Sequence, residues 1–183
     1  VNNTDLTIGS VTLGGTAYNG LNATGVISIK TPGNLTISQN VATSSTSSTA
    51  SAPALLLAAG TSSAVHDVTY NIILSGSPTI SVGSGGIADF YSGGSDQSTG
   101  LGVYVNAQSA KSYTYEATLT TQPSAAGYNV IYRSYPPVVY LTIVDDQVGT
   151  YGTATALSYW YSTSATLYGE AYVPGALSAF NTV

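Results

Sequence analysis

The residues of this chain whose side chains could do chemistry are few and scattered. Its 183 residues include three Lys and Arg, eight Asp and Glu, one His and no Cys. His66 precedes Asp67, but without a second His or a Cys it has too few partners for a transition-metal site. A Ser–His–Asp triad also lacks the Gly-x-Ser-x-Gly elbow that would present its nucleophile. We therefore expect no enzyme activity and no metal or other cofactor.

The carboxylates and aromatic residues leave two minor alternatives open. Asp145 and Asp146 are adjacent, so on a strand they point to opposite faces and cannot form an acid–base pair. Asp89 and Asp96 lie near Gly-rich turns, where they could bind calcium, although solvated turn residues are the more common case. Aromatic residues near the C-terminus could stack on sugars but more often pack across strands; they are Tyr159, Trp160, Tyr161, Tyr168 and Tyr172.

The composition excludes several classes of partner. Lys30, Lys111 and Arg133 are the only basic side chains besides His66, which is too few for a nucleic-acid or anionic-membrane surface. No apolar run reaches the length of about eighteen residues that spans a membrane. Only 6% of residues are charged, so charge repulsion stays small when the carboxylates are protonated, which suits an acidic environment.

The chain shows the two-residue alternation of β-strands and no sustained helical period. We predict an all-β single domain, a two-sheet β-sandwich or jelly roll of eleven or twelve strands. A type II turn at residues 31–34 is predicted to join two strands in a hairpin, and the Ser/Thr/Ala-rich residues 42–52 are predicted to form a loop. The remaining strands are predicted at 64–74, 79–82, 87–91, 101–105, 113–120, 128–133, 138–145, 152–161 and 165–173.

Residues 1–13 form a predicted terminal strand, and residues 14–183 form the predicted sandwich domain. Leu6 and Ile8 share one face of that strand, Val11 and Leu13 share another, and a bulge at Gly9 would bring all four together. The backbone groups of a terminal strand must pair, either with its own sheet or with that of a neighbouring molecule. We expect donation to a neighbour, with these four side chains as the subunit interface; the C-terminal segment is an alternative donor.

Three N-x-Ser/Thr sequons begin at Asn2, Asn22 and Asn34 and are candidate N-glycosylation sites. The chain does not begin with Met, from which we expect removal of a signal peptide and an extracellular location. Glycosylated asparagines in such a protein must lie at the surface.

The N-terminal strand, the single all-β domain, the sequons and the charge-poor, Ser/Thr/Tyr-rich composition resemble archaeal surface filament subunits joined by donor-strand exchange, the Sulfolobus-type threads. The resemblance implies a homopolymer in which each N-terminal strand completes the sheet of the next subunit, on the cell surface, in adhesion or biofilm formation. The alternatives are a secreted carbohydrate-binding β-sandwich and an S-layer or virion coat protein; a secreted hydrolase is a third, weaker one.

Overall fold

The computed structural model describes residues 5–123, 126–137, 140–143 and 159–162. The chain divides into two compact units, Val1–Tyr135 and Pro136–Val183. The domain boundary predicted after residue 13 falls within the first unit, at the end of a strand just before a tight turn.

The described residues are mostly short strands, which confirms the all-β class. A single short helix, α1 (Leu101–Asn106), is present among them. In the first unit the strands are β1 (Leu6–Ile8), β2 (Ser10–Leu13), β3 (Thr16–Asn19), β4 (Leu21–Ala23), β5 (Ile27–Thr31), β6 (Leu35–Ile37), β7 (Val41–Thr43), β8 (Ser48–Thr49), β9 (Ala52–Pro53), β10 (Leu55–Ala59), β11 (Ile72–Leu74), β12 (Ile80–Ser81), β13 (Ala88–Ser92), β14 (Lys111–Thr114) and β15 (Tyr128–Tyr132). In the second unit they are β16 (Tyr140–Ile143) and β17 (Tyr159–Ser162), which pair antiparallel.

Nine strands of the first unit wind into three successive coils of a parallel β-solenoid. Coil 1 contains β1, β4 and β5; coil 2 contains β6, β7 and β10; coil 3 contains β11, β12 and β13. Each coil contributes one strand to each of three parallel sheets. The first sheet contains β1, β6 and β11, the second contains β4, β7 and β12, and the third contains β5, β10 and β13. In the third sheet, β15 and then β14 follow beyond β13. The predicted two-sheet sandwich is therefore wrong for this unit, because its three main sheets are parallel and the three strands of each coil lie in different sheets.

The core lies inside the coils and is built from stacked aliphatic side chains. Leu35 and Ile37 of β6 are fully buried, whereas Thr36 between them is only partly buried. Ile72 of β11 lies in register with Leu35 and is also fully buried. Because side chains alternate along a strand, the same inward positions recur in each coil and form continuous apolar columns.

The predicted hairpin over residues 25–41 is wrong. β5 pairs with β10, and β6 pairs with β1 and β11, so the two strands belong to different sheets. Thr31–Asn34 is a corner between the sheets, and Gly33 does not have the positive φ that a type II turn requires. Residues 31–34 were correctly predicted to turn the chain. The hairpin prediction failed because a corner and a hairpin turn share the same residue preferences.

Two other strand predictions fail for local reasons. The residues predicted as a strand at 101–105 form α1, which follows Gly100 at φ 77° and buries Leu101 and Val105 on one face, four residues apart. Of the strand predicted at 64–74, only β11 forms; His66 lies in the preceding irregular segment with φ 71°. The predicted loop at 42–52 contains the end of β7, β8 and the start of β9, of which β8 and β9 pair as a short hairpin.

Candidate functional site

Coil 1 is an open end of the solenoid: among the described residues, β1, β4 and β5 each form the outer edge of a sheet. The Leu6 N–H donates to the Asn34 carbonyl at 2.9 Å, and the Ile8 carbonyl accepts from the Ser38 N–H at 2.9 Å. Paired and unpaired residues alternate along a parallel edge strand. The backbone N–H and C=O of Thr7 therefore point away from β6, towards the open edge.

Two inward-facing side chains of coil 1, those of Leu6 and Leu21, are partly uncovered. Leu6 is 41% exposed, whereas Leu35 and Ile72, which stack in register with it, are both 0% exposed. Leu21 is 38% exposed, whereas its register partner Val41 is 0% exposed. Because the register sets which face each side chain occupies, this exposure reflects a missing layer rather than an outward orientation. Coil 1 presents a partly uncovered end of the apolar core.

A β-hairpin of β2 and β3 leaves coil 1 between β1 and β4. Val11 lies opposite Tyr18, and Leu13 is two residues from Val11, so the three side chains share one face of the hairpin. All three are exposed, Leu13 by 69%. Gly14 and Gly15 adopt positive φ in the two-residue turn, as a type I′ hairpin requires. The hairpin therefore carries an apolar face that its own chain does not cover.

The four predicted interface residues are thus divided between two features. Leu6 and Ile8 belong to β1, where Ile8 is buried in the core of its own chain. Val11 and Leu13 belong to the hairpin, because the chain passes at Gly9 from one sheet to another instead of bulging within one strand. The four side chains do not share one face, although both pairs lie at coil 1.

At the opposite end of the solenoid, the chain itself covers β11 and β12. Leu101 and Val105 of α1 are fully buried in the core cluster. The Leu74 N–H at the end of β11 donates to the Thr99 carbonyl at 2.9 Å. These contacts cover the side of coil 3 that faces away from coil 2.

Tyrosine hydroxyls complete the closure at β12. The Ile80 N–H donates to the Tyr104 Oη at 3.1 Å. The Ile80 carbonyl accepts from the Tyr104 hydroxyl and, at 3.3 Å, from the Tyr128 hydroxyl. Burial raises the pKa of Tyr104, so its hydroxyl stays protonated and able to donate. The edge of β12 is therefore satisfied within the chain, in contrast to the edges of coil 1.

An apolar groove of about 460 Å³ lies beside this end, between α1 and the loop that joins β11 to β12. Val103 of α1, at its rim, is 79% exposed. No charged side chain occurs among the residues that line it, which are Leu74, Gly76, Ser77, Pro78, Thr79, Gly100, Val103 and Tyr104.

A column of Asp and Asn side chains connects the coils immediately before the first sheet. Asp5 accepts through Oδ1 from the Asn34 N–H at 2.8 Å, and Asn34 accepts through Oδ1 from the Asn71 N–H at 2.8 Å. Asn71 in turn accepts through Oδ1 from the Gly94 N–H at 2.9 Å. Each coil therefore satisfies a corner N–H of the next coil, and the column ends at the open coil with the exposed Asp5.

The predicted glycosylation sites differ in accessibility. Asn22 is exposed on β4 rather than in a turn. Asn34 is partly buried, and its side chain takes part in the column just described. Asn2 lies outside the described residues. Of the two described sequons, only Asn22 has a side chain that makes none of the hydrogen bonds of the column.

Asp89 is a fully buried carboxylate on the outer face of the third sheet. Its Oδ1 accepts from Asn129 Nδ2 at 2.8 Å, and the Asn129 Oδ1 accepts from the Ser112 hydroxyl at 2.6 Å. Within the described part of the chain, the Asp89 Oδ2 has no hydrogen-bond partner. Burial raises the pKa of Asp89 to about 6, against the opposing effect of the Asn129 hydrogen bond. Asp89, predicted as a possible calcium ligand near a turn, lies instead in a buried row with Asn129 and Ser112.

Arg133 holds the irregular segment before β11 against the solenoid. Only 3% exposed, it donates to the backbone carbonyls of Asp67 at 2.8 Å, Ala59 at 2.8 Å and Tyr70 at 2.6 Å. Hydrogen bonds from Thr69 and Ser63, with a smaller contribution from Arg133, lower the pKa of Asp67 to about 2. These three hydrogen bonds form a clamp that satisfies the buried cation, and no carboxylate among the described residues is in direct contact with it.

His66, the only histidine, packs at the surface beside this clamp. Its Nε2 lies 3.0 Å from Glu116 Oε1, and its ring stacks on Tyr135 with centroids 3.8 Å apart. His66 and Glu116 are the non-glycine residues with positive φ in the described part of the chain. Such backbone conformations are costly for these residue types, and the mutual contact holds both in place. Within the described residues, no group of three or more His, Cys, Asp or Glu is placed to hold a metal ion.

Comparisons with protein families, with characterised proteins and with solved structures found no match to this chain. No helix in the described part of the chain has the length and hydrophobicity needed to cross a membrane.

Proposed function

We propose that this protein is a structural subunit of an extracellular filament that polymerises through the open edges of coil 1. The observation that carries the proposal is the contrast between the exposed Leu6 and Leu21 and their buried equivalents in the next coil. A partly uncovered coil, whose three strands have no outer partner among the described residues, favours addition of further strands. A terminal solenoid coil needs a polar cap to stay soluble on its own.

The assembly would be a form of β-augmentation, in which a second copy covers coil 1 and pairs with it through a strand edge of its own. Among the described residues, β14 is such an edge, because it is the outer strand of the third sheet at the other end of the solenoid. Fully burying an aliphatic side chain contributes about 1.5–3 kcal/mol, so covering the exposed part of Leu6 or Leu21 contributes roughly 1 kcal/mol each. Each new backbone hydrogen bond adds about 0.5–1.5 kcal/mol. Association costs about 4–15 kcal/mol in lost freedom, so a stable contact must use several strand edges and the hairpin together.

The composition supports an extracellular place for such a filament. Serine, threonine and other uncharged residues dominate, and 6% of the residues are charged. The exposed Asn22 sequon provides an accessible attachment point for a glycan. The resemblance to archaeal thread subunits agrees with this role, with the donated strand replaced by the whole edge of coil 1. We propose no enzymatic activity and a role in surface adhesion.

Replacing Thr7 with proline tests the proposal most directly. Proline removes the N–H that points to the open edge and leaves the internal bonds of Leu6 and Ile8 intact. Thr7→Ala is the matched control, since it changes the side chain and keeps the N–H. We expect the wild type and Thr7→Ala to form filaments in negative-stain micrographs, and Thr7→Pro to reduce the polymer fraction in sedimentation at least about tenfold. A wild-type protein that stays monomeric at high micromolar concentration would refute the proposal.

Carbohydrate binding is the second candidate function, and the surface cluster of His66, Glu116 and Tyr135 is the observation that favours it. Tyr135 is largely exposed and stacks on His66, which contacts the Glu116 carboxylate. An exposed aromatic ring near polar groups suits sugar stacking and hydrogen bonding. Glycan-array binding that is lost in Tyr135→Ala and kept in Tyr18→Ala, which replaces an exposed tyrosine of the hairpin, would support it.

A further inference from the structure

We infer that the apolar face of the β2–β3 hairpin of one copy occupies the groove beside α1 of the next copy. This inference rests on the proposed function, because it names the two surfaces through which the filament grows. The donor surface consists of Val11, Leu13 and Tyr18. The acceptor surface is the groove that contains Pro78 and Val103.

The hairpin and the groove occupy matching positions in the solenoid. The hairpin leaves the chain between β1 and β4, and the loop that borders the groove joins β11 to β12. β1 and β11 belong to one sheet, and β4 and β12 belong to another. The hairpin and the groove therefore lie at the same corner of the solenoid, one in coil 1 and the other in coil 3.

This placement defines the relation between two copies. If a second copy is stacked along the solenoid axis with the same orientation, its coil 1 faces the coil 3 end of the first copy. Its hairpin then lies beside the groove of the first copy, because both are at the same corner. Such a head-to-tail contact leaves a free hairpin at one end and a free groove at the other, so it propagates as a filament.

The hairpin face and the groove are also chemically complementary. The three hairpin side chains are aliphatic or aromatic, and all are more than half exposed. The groove is lined by uncharged residues, and its most exposed apolar side chain is Val103. Its volume of about 460 Å³ lies within the range of about 300–1,000 Å³ that accepts compact organic groups. No buried charge would be created by docking one surface on the other.

The exposed area of the hairpin and coil 1 together is close to that of a stable interface. The exposed parts of the hairpin side chains, together with those of Leu6, Leu21 and Val26 in coil 1, amount to on the order of 600 Å². A standard stable interface buries about 800 Å² on each partner. The hairpin alone falls well short of that area, whereas the hairpin and coil 1 together approach it. The two surfaces adjoin, so one neighbouring copy can cover both.

Disulfide trapping between two single-cysteine variants tests this arrangement, because the wild-type chain contains no Cys. Leu13→Cys places a thiol on the hairpin, and Val103→Cys places one at the groove; both positions are highly exposed, so folding should be preserved. We expect the mixture of the two variants to give at least about tenfold more cross-linked dimer than either variant alone. Leu13→Cys mixed with Val65→Cys is the control, since Val65 is exposed but lies outside the groove.

Sedimentation of the same samples separates the two proposals. Polymers that form without the Leu13–Val103 cross-link would refute the docking inference and leave the filament function standing. Efficient cross-linking of Leu13→Cys with itself would also refute it, because it would show a head-to-head contact. Monomeric samples without any cross-link would refute both the docking inference and the filament function.

Discussion

Asp89→Asn should make the stability of the protein less dependent on pH and should raise it at neutral pH. Asp89 is fully buried, and among the residues that the structure describes only one of its carboxylate oxygens has a hydrogen-bond partner. Its pKa is about 6 in the folded protein against an ordinary value of 3.8. The folded state therefore favours the protonated carboxyl. This contribution is fully present below about pH 4 and is lost as the pH rises through 6.

The magnitude follows from the two pKa values. Their difference corresponds to roughly 2–3 kcal/mol of unfolding free energy between pH 4 and pH 7.5. For a chain of this size, that is a decrease in Tm of roughly 5–10 °C. Asn cannot ionise, so Asp89→Asn should match the wild type at pH 4 and exceed it by roughly 2–3 kcal/mol at pH 7.5.

Urea unfolding followed by circular dichroism at pH 4, 5, 6 and 7.5 would measure this dependence. Asp96→Asn is the matched control, since Asp96 lies on the surface and bonds to the neighbouring Gln97 side chain. The reasoning would be refuted if Asp89→Asn were less stable than the wild type at pH 7.5. That result would show that the ionised carboxylate is stabilised in the fold.

Three further predictions concern the coils, the clamp and the sequons. Leu35→Ala should cost about 2–5 kcal/mol and Leu6→Ala about 1 kcal/mol in urea unfolding of the monomer; equal costs would show that coil 1 is covered. Arg133→Lys should speed amide hydrogen exchange in residues 60–71 at least about tenfold, because lysine cannot reach three carbonyls; unchanged exchange would contradict the clamp. Asn34→Gln should lower stability by about 1 kcal/mol, and Asn22→Gln should leave Tm unchanged; equal effects in calorimetry would contradict the role of the column.

Part of the fold could be predicted from single segments. Residues 128–133 and 87–91 were predicted as strands within one residue of β15 and β13, because their side chains suit a buried pleated surface. Residues 101–105 were misread because an apolar residue at every second position also places two of them four residues apart. Leu101 and Val105 are those two, and Gly100 supplies the left-handed conformation that starts the helix.

The solenoid left a signal in the sequence that the strand pattern alone did not reveal. Leu-Thr-Ile occurs at residues 6–8 and again at 35–37, each preceded by Asp or Asn. The third copy, Ile-Ile-Leu at 72–74, follows Asn71. These are the three strands of the first sheet and the column of side chains before it. Unequal insertions between the copies hide the period, so a search for repeats must allow for variable loops.

The amino-acid sequence by itself determined the β class, the low charge and the inward apolar positions of each strand, since these depend on neighbouring residues. Only the tertiary structure decided which strands pair. Leu21 pairs with Val41 and Val41 with Ile80, each in a different coil, and alternation of side chains is the same in parallel and antiparallel sheets. The tertiary structure also decided the exposure of Leu6, because a leucine facing inward is buried only if another layer covers it.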